Sequence, residues 1–379
     1  MFDLVVTGGR VLDPGSGIDR IADVAFADGK VAAVGDALPT GAARQRIDAT
    51  GRIVVPGLID LHTHVYWGGT SLGVDADAIA RRSGTTTFVD AGSAGAGNFI
   101  GFRRHVIERS TVRILAYLNV SFAGIFAFSN NVMVGECDDL RLCDPREAAA
   151  AAREHLDLVV GIKVRVGRFA GGASGVAPLD IAIDVADRLR LPVMAPLDHP
   201  PPSRHEVLGR LRPRDVLTHC FRGFPNAPID GERNIVAEIR QARARGVVFD
   251  IGHGKGSLSF ATSAAMLDQG FLPDVISSDI HSLSVDGPAF DNLVTLSKFV
   301  CLGVPLPEVI GMATVAPARA LGRGDLGSLR VGAVGDAAIL ELADGTFSYV
   351  DAEGVTLLGK QRLLSHGIVV GGRWLPNGA

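Results

Sequence analysis

Hydrophobic and polar positions divide the chain into three stretches of different rhythm. Residues 1–55 carry short alternating or apolar runs at 3–6, 22–27 and 31–34, and Asp28-Gly29 between the last two reads as a hairpin turn. The same rhythm returns near the other end. Runs at 337–342, 346–350 and 367–370 are strand-like, with turn pairs at Asp344-Gly345, Glu353-Gly354 and Gly371-Gly372. Between these ends, residues 56–322 alternate strand and helix. Strand-like runs end near His64, Asp90, Val120, Val166, Leu197, His219, Ile251 and Asp279, and helical spacing covers 145–155, 178–190, 234–245 and 291–302. Eight such runs interleaved with helices predict a (β/α)8 TIM-like barrel over 56–322. A doubly wound open sheet is the alternative, but no Gly-x-Gly-x-x-Gly follows an early strand. The two β-rich ends, 1–55 and 323–379, are expected to form one small composite β-sandwich domain.

Composition narrows the class. The 379 residues are 47% hydrophobic and 21% charged with 47 glycines, which suits a large packed core with many tight turns. The net charge is −4 and no basic run stands out, so neither nucleic acid nor an anionic membrane is an expected partner. The four cysteines show no Cys-x-x-Cys spacing. The first residues lack a basic segment and a signal-peptide core, and no apolar stretch reaches membrane-spanning length. A reduced, cytoplasmic chain is the expectation.

In a (β/α)8 barrel the chemistry gathers at the C-terminal ends of the strands. The first strand ends in His62-Thr-His64, and strand alternation points both imidazoles the same way. That is half of a metal site, or else two structural histidines. Further strand ends carry Lys163, His219, His253, and Asp279 followed by His281. Lys163 stands among valines and an isoleucine, where burial lowers an amine's pKa and leaves it able to add carbon dioxide as a carbamate. A lysine that snorkels to the rim or pairs with an acid is the alternative.

Together, Pro56-Gly-Leu-Ile-Asp-Leu-His-Thr-His64, Gly161-Ile-Lys-Val, Val216-Leu-Thr-His-Cys, Asp250-Ile-Gly-His-Gly and Ser277-Ser-Asp-Ile-His281 resemble the amidohydrolase superfamily, in its dihydroorotase-like amidohydrolase/deacetylase branch. The resemblance covers nearly the whole chain. It implies a two-metal centre, usually zinc. His62, His64 and Asp279 would hold the more buried ion, carboxylated Lys163 would bridge both, and His219 would hold the more exposed one. It further implies hydrolysis of an amide or ester bond by a metal-bridging hydroxide with Asp279 as general base. Deacetylation of small acylated amino or hydroxy acids comes first, and opening of a cyclic amide second. One segment departs from the pattern. Pro196 occupies the position of the fifth-strand histidine, and His199, with Asp198 beside it, is the candidate replacement ligand. A barrel with a degraded second metal site, acting without catalysis, is the alternative from another class.

Specificity is expected from the rim loops. Tyr66, Arg165, His253, Lys255 and His281 are the candidate contacts to a small-molecule substrate. The resemblance also implies a homo-oligomer.

Overall fold

The apolar runs of the middle stretch become short parallel strands. In the computed structural model, which describes residues 1–39, 41 and 43–377, seven of them form one curled sheet, each strand bonded to the next in chain order. They are Leu58–Thr63, Thr85–Gly95, Arg113–Asn119, Val159–Lys163, Val193–Pro196, Val216–Thr218 and Val248–Phe249. The expected eighth strand is a bridging segment. Val275 pairs with Asp250 on one side and Ile280 with Thr63 on the other. The Asp279 N–H donates to the His62 carbonyl at 2.7 Å, and the His64 N–H to the Ile280 carbonyl at 2.9 Å. A left-handed backbone at Asp279 (φ 46°) interrupts a regular ladder there.

Strand alternation sorts the core. Leu115, Tyr117, Val89, Met194 and Val216 belong to one buried cluster. Their chain neighbours Ile114, Leu118, Phe88, Val193 and Leu217 belong to another, shared with the helices. The helices match the expected spacing. Pro145–Glu154 starts at Asp144, whose carboxylate accepts from the Arg146 and Glu147 N–H groups, and it buries Ala148, Ala149 and Ala152. Ala177–Leu189 buries Leu179, Ala182, Val185 and Ala186, at helical spacing. No helix among the described residues is long and apolar enough to cross a membrane.

Both chain ends enter one eight-stranded sheet, where a sandwich was expected. Its order is Arg373–Pro376, Thr356–Val370, Ala337–Val350, Ile53–Pro56, Phe2–Asp13, Ile18–Ala27 and Lys30–Gly35, with Ala43–Asp48 also beside Phe2–Asp13. Leu4, Val6, Val24, Phe26, Val54, Ile339 and Val369 share one buried cluster, so strands from both termini enclose a common core. Asp28 (φ 51°) and Gly29 (φ 72°) make the expected hairpin turn. Asp344-Gly345 is not a turn. It lies within the continuous strand Ala337–Val350, where the ladder shifts register between Asp344 and Phe347. The partner Thr356–Val370 starts well before residue 367. Lys360 and Gln361 interrupt its apolar alternation, which hid it from pattern reading.

Asp13 ties the two ends together. It is buried, and its Oδ2 accepts from the Leu329 N–H at 2.7 Å, Ser16 Oγ at 2.6 Å and Ser328 Oγ at 3.0 Å. Removing a buried carboxylate strands these donors. Asp13→Ala is therefore expected to cost about 3 kcal/mol, read as a lower urea midpoint at unchanged slope.

Candidate active site

The strand ends bring His62, His64, Lys163, His219 and Asp279 to the wall of a cavity of about 400 Å3. Three of them gather most tightly: one ligand atom each from His62, His64 and Asp279 lies within 4.8 Å of the others. Asp279 Oδ1 is 3.4 Å from His62 Nε2 and 3.2 Å from His64 Nε2.

Hydrogen bonds on the far side of each ring fix which nitrogen is free. His62 Nδ1 is 2.7 Å from Thr218 Oγ1, and that hydroxyl donates to Asp250 Oδ2 at 2.7 Å. Threonine has one hydroxyl hydrogen, so its oxygen accepts from His62 Nδ1–H and Nε2 keeps its lone pair. His219 Nδ1 lies 2.7 Å from the Gly252 carbonyl, which only accepts. His64 Nδ1 is 2.9 Å from Ser93 Oγ, and Ser93 also hydrogen-bonds Asp90. Carboxylates and carbonyls behind imidazoles are the usual support of a metal-ligating histidine. Burial keeps these rings neutral. It lowers His62 well below the ordinary imidazole value, His64 to about 3 and His219 to about 4.

Asp279 Oδ1 is buried and accepts no hydrogen bond. An ionised oxygen in that position is costly unless a cation meets it. Neutral imidazole nitrogens converging on an unpartnered carboxylate oxygen fit a zinc-like ion. Lys163 faces the same space. It is 1% exposed, with Nζ 3.2 Å from His62 Nε2 and 3.6 Å from Met194 Sδ. No carboxylate among the described residues lies within ion-pair distance of it. Burial lowers its pKa to about 8, with Asp279 opposing the shift.

The backbone around these groups is unusual. His219 (φ 61°) and Asp279 (φ 46°) are left-handed without being glycine, a conformation costing on the order of 1–2 kcal/mol each. Neighbouring segments hold them there, as the Asp279–His62 backbone bond illustrates. Two glycines make room. A Cβ on Gly252 (φ 48°) would lie 2.4 Å from Thr218 Oγ1 and 2.8 Å from His219 Nδ1. One on Gly254 (φ 52°) would lie 2.2 Å from Asp279 Oδ2.

Among families, no family model matches the chain. Individual relatives do. A deacetylase of Agrobacterium fabrum is 37% identical over 327 residues, which cover 86% of this chain and 80% of that protein. Of the solved structures, an adenine deaminase superposes with a TM-score of 0.92 at 30% identity over all of both chains. A dihydroorotase does so with 0.90 at 33% identity over 99% of each. The chain belongs to the amidohydrolase superfamily. It is a metal-dependent hydrolase of that superfamily, on its dihydroorotase-like branch.

In this amidohydrolase, Pro196 ends the buried fifth strand and pairs in the ladder with Thr218. His199 lines the cavity but stands apart from the tight cluster, its side chain 43% exposed. Its Nδ1 is 3.2 Å from Asp198 Oδ1 and 3.1 Å from Arg222 Nη2. Arg165, Lys255 and His281 also line the cavity, whereas Tyr66 and His253 do not. Tyr66 packs on Phe102 of helix Phe99–His105, and its hydroxyl reaches the Asn98 carbonyl at 3.3 Å. His253 sits between the left-handed Gly252 and Gly254, and its Nε2 meets Lys298 Nζ at 2.6 Å. Arg222 is a cavity residue that pattern reading missed. Its only signal is its place three residues after His219.

Support behind the ligands is expected to govern metal affinity. Thr218→Val keeps the shape but removes the acceptor for His62 Nδ1. It should weaken metal binding about 10–100-fold, measured by competition with a chelating dye.

Proposed function

We propose that this enzyme hydrolyses the acyl bond of a small acylated amino or hydroxy acid, as a deacetylase, with zinc as the metal. The observation that carries this reading is the buried, unpartnered Asp279 Oδ1 set against two imidazole Nε2 atoms. His62, His64 and Asp279 would hold one ion, and Lys163, as its carbamate, would join His219 and His199 toward a second. A neutral amine at Lys163 adds carbon dioxide by forming an N–C bond and releasing one proton, and its burial favours that neutral form. When bound, the metal polarises the scissile carbonyl and acidifies water.

The chain's own groups do the rest. Asp279 accepts the proton of the attacking water and returns it to the departing nitrogen or oxygen. Leu72, Ile125, Phe128, Met133 and Phe169 give the cavity an apolar wall that shields the acyl group. Besides Lys163, three cations face that space, and two are already engaged. Arg165 pairs with buried Glu136 at 3.2 Å and lies over the Phe128 ring, while Arg222 pairs with Asp198 at 2.9 Å. Among the described residues, Lys255 meets only the neutral Asn130 amide, at 3.1 Å. Its charge suits the carboxylate end of an amino or hydroxy acid. The likeness to a dihydroorotase supports cyclic-amide opening as the second reading. We place the enzyme in the reducing cytoplasm, a reading supported by four free cysteines, three of them buried.

A substrate panel separates these readings. The zinc-loaded protein is expected to release acetate from at least one N- or O-acetylated acid with kcat/KM near 10^4 M−1 s−1 or above. Turnover confined to cyclic imides would select the second reading. Asp279→Asn should lower kcat by about 10^2–10^4-fold. For the second ion, His199→Ala should lose about one metal equivalent per chain by elemental analysis. Unchanged metal content would remove His199 as a ligand.

A further inference from the structure

His253 belongs to the strand-end motif yet faces away from the cavity, and the groups that hold it explain why. Its Nδ1 lies 2.9 Å from the Gly254 carbonyl, so Nδ1 carries the hydrogen and Nε2 accepts. Lys298, buried on helix Asn292–Cys301, donates to that Nε2 at 2.6 Å. The same ammonium donates to the Pro288 and Val350 carbonyls, each at 2.7 Å. Its three hydrogens and three acceptors match. Val350 ends the long strand Ala337–Val350 of the terminal sheet.

The hairpin after Val350 reaches the same loop. The Phe260 N–H donates to Asp351 Oδ2 at 2.8 Å, and the Ala352 N–H to the Leu258 carbonyl at 2.9 Å. Ser259 Oγ donates to Glu353 Oε2 at 2.7 Å. The other Glu353 oxygen lies over Gly223, where a Cβ would come within 1.8 Å of it. Glu353 therefore touches the segment that follows His219 and Arg222 as well as the one that follows His253. Within the second segment, Lys255, Gly256 and Ser257 line the cavity, and Gly254 packs against Asp279 Oδ2.

We propose that the tip of the C-terminal hairpin, through Asp351 and Glu353 and together with Lys298, positions the cavity loop 253–259 and so sets substrate affinity. Glu353 and Lys298 are positioning residues, since neither touches the cavity. The sheet built from both termini thereby shapes the barrel's specificity. The affinity part rests on the cavity being the substrate site. The positioning part does not.

The test uses the full-length, zinc-loaded enzyme and hydrogen exchange read by mass spectrometry. In Glu353→Ala, at an exposed position, amides of 253–260 should exchange roughly tenfold faster while the barrel strands stay unchanged. KM for the substrate turned over should rise several-fold with kcat within about twofold and metal content unchanged. Glu353→Gln, which keeps an accepting oxygen, should restore both. Lys298→Met, if it folds, should loosen the same segment. Unchanged exchange in 253–260, a uniform rise across the chain, or no rescue by glutamine would overturn the proposal. If no panel substrate is turned over, the exchange measurement still decides the positioning claim.

Discussion

One unsatisfied electrostatic demand, at Asp279, organises the candidate site. Asp279 is held at the closing edge of the parallel sheet with one oxygen buried and unpartnered, facing the Nε2 atoms of His62 and His64. Desolvation keeps those imidazoles neutral, so they do not answer the charge themselves. A cation bound between them would satisfy that oxygen. The features around it serve that geometry. Thr218 and Gly252 fix the tautomers of His62 and His219, Asp250 steadies Thr218, and Lys163 stands within reach of His62 with no carboxylate among the described residues at ion-pair distance.

The cost of this arrangement is visible in the backbone. His219 and Asp279 adopt left-handed conformations, and Gly252 and Gly254 leave no room for a side chain. Such strain persists only where the surroundings over-determine it. Here the surroundings are the parallel bridges that close the sheet and the loop after the seventh strand. The loop is in turn gripped from outside by Lys298 and the C-terminal hairpin. The terminal sheet is thus more than an appendage, because its long hairpin delivers backbone and carboxylate contacts to the rim of the barrel.

Strand and helix alternation through the middle of the chain was legible because apolar periodicity is local. The helices starting near Pro145 and Ala177 fall within a residue of expectation, since a capping aspartate or an N-terminal proline marks them. Pairing was less legible. Asp344-Gly345 has turn composition but lies in a bulged strand, because the partner Thr356–Val370 supplies ladder bonds across it. The eighth strand was foreseen at Asp279, but the left-handed turn that breaks it leaves no mark in the hydrophobic pattern.

The residue types at the strand ends were determined by the sequence alone: His62, His64, Lys163, His219 and Asp279 carry groups able to bind a metal, and the spacing of His62 and His64 follows the strand period. Their convergence on one cavity, the free nitrogen of each imidazole and the lack of an ion-pair partner for Lys163 among the described residues were decided only by the tertiary structure. So was the sorting of the rim. Arg222 faces the cavity, while Tyr66 turns to Phe102 and His253 to Lys298. The reason is physical. Periodicity records which way a side chain leaves its own strand. Loop residues take their direction from backbone angles and partners contributed by distant parts of the chain, and no local pattern carries that information.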